Sequence, residues 1–154
     1  EAPQGVKTIR VKTADEMFVA VKEQLSDNNI FISAAAVADY RVKEASSLKI
    51  KNNKENLTLT LEPNIDILAW VCAQKLNLMT VGFSAETHDL ENYAKEKLVK
   101  KGADFIVANN VSRSDVGFES DENEVLIISQ AGMIPIQKAN KEIIAEKILR
   151  EIIK

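Results

Sequence analysis

The stretch from Asn29 to Tyr40, NIFISAAAVADY, constrains the fold more than any other part of the sequence. Ile30, Phe31 and Ile32 form a β-rich apolar run without polar alternation, followed by Ser33, three alanines and, further on, Asp39 and Tyr40. Such a run suits a central strand covered on both faces, as in a parallel sheet. Where a buried parallel strand ends, small side chains let a ligand lie against the backbone, whose N–H and C=O groups can read its edge. Ser33 to Asp39 is therefore a candidate site wall. The alanines would equally fill a tight helix-to-sheet contact, and the pattern alone leaves both readings open.

On either side the text alternates between strand and helix. Val6, Ile9 and Val11 suggest a short strand over Val6 to Val11. Thr13 to Glu16 fits a capping box, and Met17, Ala20, Val21 and Leu25 continue as an amphipathic helix to about Leu25. Arg41 to Asn56 is polar, lysine-rich and poorly periodic, the text of a long functional or mobile loop. Leu57 to Leu61 alternates with period two, predicting a strand with one buried face that Pro63 stops. A short helix follows over Ile65 to Cys72, with Asn64 as its N-cap.

Thr80 to Phe83 predicts another strand, and the next helix buries Leu90, Ala94 and Leu98 before ending at Gly102. Phe105 to Ala108 repeats the buried-strand pattern and runs into Asn109 and Asn110; Ser112 to Asn123 reads as a polar loop. Val125 to Ser129 and Met133 to Gln137 predict a hairpin across Gln130, Ala131 and Gly132, and a last helix from about Lys141 buries Ile143, Ile144, Ile148 and Ile152. The sum is an α/β fold, a three-layer Rossmann-like, mostly parallel sheet with helices on both faces and a C-terminal antiparallel hairpin. Ligands of such sheets sit beyond the carboxyl ends of the strands. Three ends qualify: Ser33 to Asp39, Phe83 to Thr87, and Asn109 with Asn110.

The 154 residues fit a single domain over 1–154. A net charge of −3 and the lack of a Lys/Arg block disfavour nucleic acid as a partner. No apolar run approaches the roughly 18 residues of a membrane span, and Glu1 onward lacks the plan of a signal peptide. A lone cysteine, Cys72, excludes an intrachain disulfide, so the expected compartment is the cytoplasm. The opening at Glu1, in what reads as the middle of an α/β domain, suggests a missing N-terminal portion.

Lys97 and Lys101, four apart on one helix, project two ammonium groups from one side and could hold a phosphate chain. Lysines near a helix C-terminus are also favoured by the dipole, whatever they bind. Lys43, Lys49, Lys51 and Lys54 would make a basic lid or a merely solvated loop. Asp39 could meet a ribose hydroxyl or a divalent ion, or cap a turn. Cys72 lies in an apolar stripe and reads as core, and His88 is the only histidine. No G-x-G-x-x-G or P-loop is present, which counts against an independent dinucleotide or ATPase fold.

Taken in order, AAVADY, K-I-K, PNIDIL, VGFSAET, K-x-x-x-K, ANNVS and GFESDENEV resemble phosphopantothenate cysteine ligase, the synthetase of coenzyme A biosynthesis, over essentially the whole chain. The resemblance implies that 4′-phosphopantothenate is activated by CTP, with pyrophosphate released, and that the amine of L-cysteine then attacks the acyl-cytidylate. It places nucleotide contacts at Ser33, Ala34, Ala35, Asp39, Lys49, Ile65, Asp66, Ile67, Leu68, Phe83, Lys97 and Lys101. Lys49, Lys97 and Lys101 would hold the triphosphate, with Lys49 the catalytic cation, and Phe83 would pack on the base. Mg2+ is implied with CTP as co-substrate, together with a homodimer and a decarboxylase part fused upstream, which alone carries FMN. The family also has, upstream, a glycine-rich loop and an asparagine that handles the intermediate, which this chain lacks, and Asn52 and Asn53 make its lid less basic. A non-catalytic nucleotide-binding or dimerisation module is the alternative.

Overall fold

The computed structural model describes residues 4–46, 48–51, 56–111 and 120–154. Its contacts divide into two compact units, one made of Glu1–Ser26 with Ala36–Asp66 and the other of Asp27–Ala35 with Ile67–Lys154.

The second unit holds a five-stranded sheet built from β1 (Ile30–Ser33), β4 (Met79–Glu86), β5 (Phe105–Asn110), β6 (Glu122–Ser129) and β7 (Gly132–Asn140), paired in that order. β1, β4 and β5 are parallel, while β6 is antiparallel to both its neighbours, so four of the five strands run one way. Val81, Val107, Val125, Ile127 and Ile136 cover one face against Ile144, Ile148 and Ile152 of α4 (Lys141–Ile152). On the opposite face Ile106, Ala108 and Ile128 meet Leu68 of α2 (Ile67–Ala73) and Ala94 and Leu98 of α3 (Leu90–Lys101). The expected three layers and hairpin are there. The strands are longer than their apolar runs suggest, because backbone pairing continues past the last buried side chain: β4 reaches Glu86 and β5 reaches Asn110.

The helix ends follow local chemistry. Gly102, at φ 68°, closes α3 with its N–H on the carbonyls of Leu98 and Val99, a left-handed conformation that glycine adopts without steric cost. Asn140 caps α4 by accepting from the Glu142 N–H. Ile143, expected inside, is 47% exposed, since it sits one position off the stripe that Ile144, Ile148 and Ile152 present to the sheet.

Two tertiary features set stability. A Cβ on Gly82 would lie 2.5 Å from Leu68 Cδ2 and 2.8 Å from Ile106 Cδ1, so the strand meets α2 with no room for a side chain. Gly82→Val should therefore lower unfolding free energy by about 1–3 kcal/mol, the usual range for overpacking, as read from denaturant midpoints. Asp104, just before β5, accepts from the Thr80 N–H at 2.7 Å and the Thr80 hydroxyl at 2.8 Å, and its own N–H donates back to that hydroxyl at 3.0 Å. Thr80 is buried. Asp104→Ala leaves two of its donors without an acceptor and should cost about 1–3 kcal/mol in the same measurement.

In the first unit α1 (Ala14–Gln24) starts as predicted. The Thr13 hydroxyl accepts from Glu16 N–H, while the Glu16 carboxylate turns back to the Lys12 N–H, one residue before the ideal box. The helix ends at Gln24 and one 3₁₀ turn, Leu25–Asp27, follows. A small antiparallel sheet pairs β2 (Tyr40–Val42) with β3 (Leu61–Pro63), and the Lys43 N–H adds a 2.9 Å bond to the Thr60 carbonyl. Arg41 stands between two carboxylates, Glu62 and Asp15, which hold its guanidinium above the ordinary arginine range.

Several expectations change here. Val6 to Val11 forms no strand, and among the described residues nothing pairs with it. Of Leu57 to Leu61 only Leu61 joins a strand, which ends at Pro63 as expected, and Leu59 stays 54% exposed with no described residue burying that face. Arg41 and Val42, read as loop, belong to β2. The predicted polar loop loses Glu122 and Asn123 to β6, and residues 112–119 of it lie outside the described residues, as does Lys54 of the lid. Among the described residues the apolar run of β1 pairs with β4 alone and Ile32 is 41% exposed, where the sequence pattern predicts a central strand covered on both faces.

Candidate functional site

At the carboxyl end of β1 the chain passes from half-buried Ser33 to exposed Ala34 and Ala35. Ala34 and Phe83 border one cleft of about 350 Å³ on the α4 face of the sheet, with Ile32, Val125, Ile144 and Ile148 as its apolar walls. Asn123 and Lys141 also border it, and its surface is almost wholly apolar. Small, aliphatic and aromatic walls with a few polar groups are the usual lining of a small-molecule site. Phe83 lies three residues inside β4 instead of at its end, because the strand runs on to Glu86.

Lys97 approaches the same strand from α3. Its Nζ donates to the Phe83 carbonyl at 2.9 Å, partly buried. The ring of Phe83 packs with the α4-side core, whereas α3 covers the other face. The aromatic and the ammonium therefore meet at one residue from opposite sides of the sheet. Lys97 and Lys101 do not line the apolar cleft. Lys101 is half-buried in the last turn of α3, where a cation complements the helix dipole. Leu68 is 6% exposed and packs in the core beside Gly82, and Ile67 is likewise buried, so their side chains serve the core and only their backbone is left to face a ligand.

The remaining expected contacts, Asp39, Lys49, Ile65 and Asp66, belong to the first unit, and all four are exposed. Asn64 does not cap α2, whose first residue is Ile67; instead its N–H and Nδ2 bond to the carbonyls of Asp39 and Ala38. Cys72 is half-buried against the α2–α3 core, in keeping with its reading as a packing residue. His88 lies in the turn after β4, 3.0 Å from the Thr87 hydroxyl and edge-on to Tyr93. Among the described residues no three His, Cys, Asp or Glu side chains gather as a metal site would need. Within the expected strand end Phe83 to Thr87, the hydroxyl of Ser84, a residue 1% exposed, donates to the Glu86 carboxylate, a contact that the sequence reflects only in the period of two that puts the pair on one face.

The sequence and the fold both have relatives among known proteins. Residues 1–154 match the family described as DNA/pantothenate metabolism flavoprotein, C-terminal domain. The chain belongs to this family. Among curated members of related sequence, the coenzyme A biosynthesis bifunctional protein CoaBC of Vibrio cholerae is 41% identical over 153 residues, 97% of this chain and 38% of that protein. Its counterpart in Escherichia coli K12 is 40% identical over 157 residues, with 98% and 38% covered. The chain thus spans about 38% of the length of the curated relatives it matches. The crystal structure of the C-terminal domain of a coenzyme A biosynthesis bifunctional protein CoaBC superposes with a TM-score of 0.80 at 31% identity, covering 99% of this chain and 67% of that one. The α/β architecture of this flavoprotein C-terminal domain is therefore the one the sequence pattern predicts. Among the described residues no helix is long and apolar enough to cross a membrane.

Proposed function

We propose that this domain carries the nucleotide-binding part of a phosphopantothenate cysteine ligase acting in coenzyme A biosynthesis. The observation that supports it most is the 41% identity, along nearly the whole chain, to a protein named for that pathway. In this reading the carboxylate of 4′-phosphopantothenate attacks the α-phosphorus of CTP, and the bond to the β-phosphate breaks, its electron pair leaving on pyrophosphate. The L-cysteine amine then attacks the acyl carbon, loses a proton, and expels CMP.

The chain's own groups suit parts of this work. Backbone at Ser33, Ala34 and Ala35 is open to a base edge, with no side chain beyond a methyl at the two alanines. Lys97, already on a neutral carbonyl at Phe83, would gain from an anionic oxygen, because ionic hydrogen bonds are roughly twice as strong as neutral ones. On the resemblance, Lys49 and Lys101 would each add positive charge for the departing pyrophosphate. A magnesium ion would be held by phosphate oxygens and water, as the cation commonly is, since the described residues offer it no cage. Exposed Leu57, Leu59 and Leu61 suit coverage by a second copy, the homodimer of the resemblance. The fused decarboxylase with its FMN belongs outside this chain.

The test is pyrophosphate release by the intact protein given CTP, 4′-phosphopantothenate and L-cysteine. Release that needs CTP and phosphopantothenate together is expected. Tight CTP binding without turnover would favour a non-catalytic nucleotide-binding module instead, and neither binding nor turnover would end the nucleotide reading.

A further inference from the structure

Asn64 joins two backbone segments of the first unit. Its N–H donates to the Asp39 carbonyl at 2.8 Å, and its Nδ2 donates to the Ala38 carbonyl at 2.8 Å. The residue before it, Pro63, stands in register with Tyr40 at the end of the β2–β3 ladder. The Ala38–Asp39 backbone is thus fixed by the ladder on one side and by both donors of Asn64 on the other. Ile65 and Asp66 follow at once in sequence, so two of the segments expected to meet nucleotide are bound to each other through one residue.

The other end of the amide tells why an asparagine is there. Asn64 Oδ1 is buried and has no hydrogen-bond partner among the described residues. Buried side-chain acceptors nearly always find a donor in folded proteins, and each exception calls for an explanation. Committing Nδ2 to the Ala38 carbonyl turns Oδ1 inward, so the orphan follows from keeping that bond.

We propose that Asn64 is a positioning residue for the nucleotide, holding the segment that carries Asp39 at a fixed distance from Ile65 and Asp66. This rests on the nucleotide reading above. Loss of the amide side chain releases the Ala38 carbonyl next to Asp39, while the backbone bond from residue 64 to Asp39 and the lysines stay in place, so it weakens nucleotide binding more than it slows chemistry.

In the intact protein, Asn64→Ala should raise the KM for CTP about tenfold, the scale of one lost hydrogen-bonded contact, with kcat changed less than about threefold and the KM for L-cysteine unchanged. Asn64→Ser keeps a donor for the Ala38 carbonyl and should recover most of the loss. A CTP KM for Asn64→Ala within about twofold of wild type, or a serine variant no better than alanine, overturns the proposal. Should the alanine variant fail to fold, the CTP dissociation constant of the isosteric Asn64→Asp, which has no Nδ2 donor for the Ala38 carbonyl, decides against wild type: a rise of about tenfold supports the bracket and equality overturns it. Wild-type protein that neither binds nor turns over CTP sinks the underlying reading instead, whereas active wild type with an indifferent Asn64 sinks this inference alone.

Discussion

Lys49→Ala lowers kcat for pyrophosphate release by about 10²–10³, the usual consequence of removing one fixed group that meets charge developing in a transition state. The expectation comes from chemistry more than from contacts. Lys49 lies between β2 and β3 in the lysine-rich segment, and its side chain is exposed. An exposed ammonium is screened by water and worth little in the ground state. In the proposed reaction its charge would count where negative charge develops on the departing pyrophosphate. The loss should therefore fall on kcat with KM for CTP moving less, and Lys49→Arg, which keeps the charge, should retain much of the rate. Equal turnover by wild type and Lys49→Ala would remove this lysine from the reaction.

The second large effect is expected at Lys97. Lys97→Met keeps an apolar stem of similar reach but deletes the ammonium, so packing on α3 is preserved while the charge is lost. A charge-assisted hydrogen bond of about 1.5–3 kcal/mol corresponds to roughly 10–150-fold in CTP affinity, which isothermal titration would read directly. The wild-type lysine is held ready by the Phe83 carbonyl at 2.9 Å, so little side-chain freedom remains to be lost on binding. Lys101→Met should weaken CTP less, because Lys101 sits one turn further along α3, past the lysine that reaches Phe83. A Lys97→Met protein that binds CTP like wild type would assign this lysine to structure alone.

What could be read from the sequence was whatever depends on neighbours within a turn or a strand pair. The period of α4, the hairpin across Gln130 and Ala131, the glycine stop at Gly102 and the Thr13 cap are local, and each is found where its residues indicate. Pattern reports the capacity to pair, not the presence of a partner. Among the described residues Val6 to Val11 and Leu57 to Thr60 have strand text without strand pairing, and β1, with core text, pairs with β4 alone. Long-range polar bonds left no trace at all: Asn64 looks like a helix cap, yet its partners are 25 and 26 residues away at Asp39 and Ala38. The Thr80–Asp104 pair, 24 apart, is hidden for the same reason. Within the site, spacing could put Lys97 and Lys101 on one helix face, but only the packing of α3 on the sheet brings Lys97 Nζ to Phe83.

The most direct test is a crystal structure of the intact protein with CTP bound. The base should lie along the backbone of Ser33 to Ala35 beside Phe83, and Lys97 Nζ should contact a phosphate oxygen at about 2.7–2.9 Å, the length of a charge-assisted hydrogen bond. A nucleotide seated away from Phe83, with Lys97 still on its carbonyl and no lysine at the triphosphate, would contradict the account.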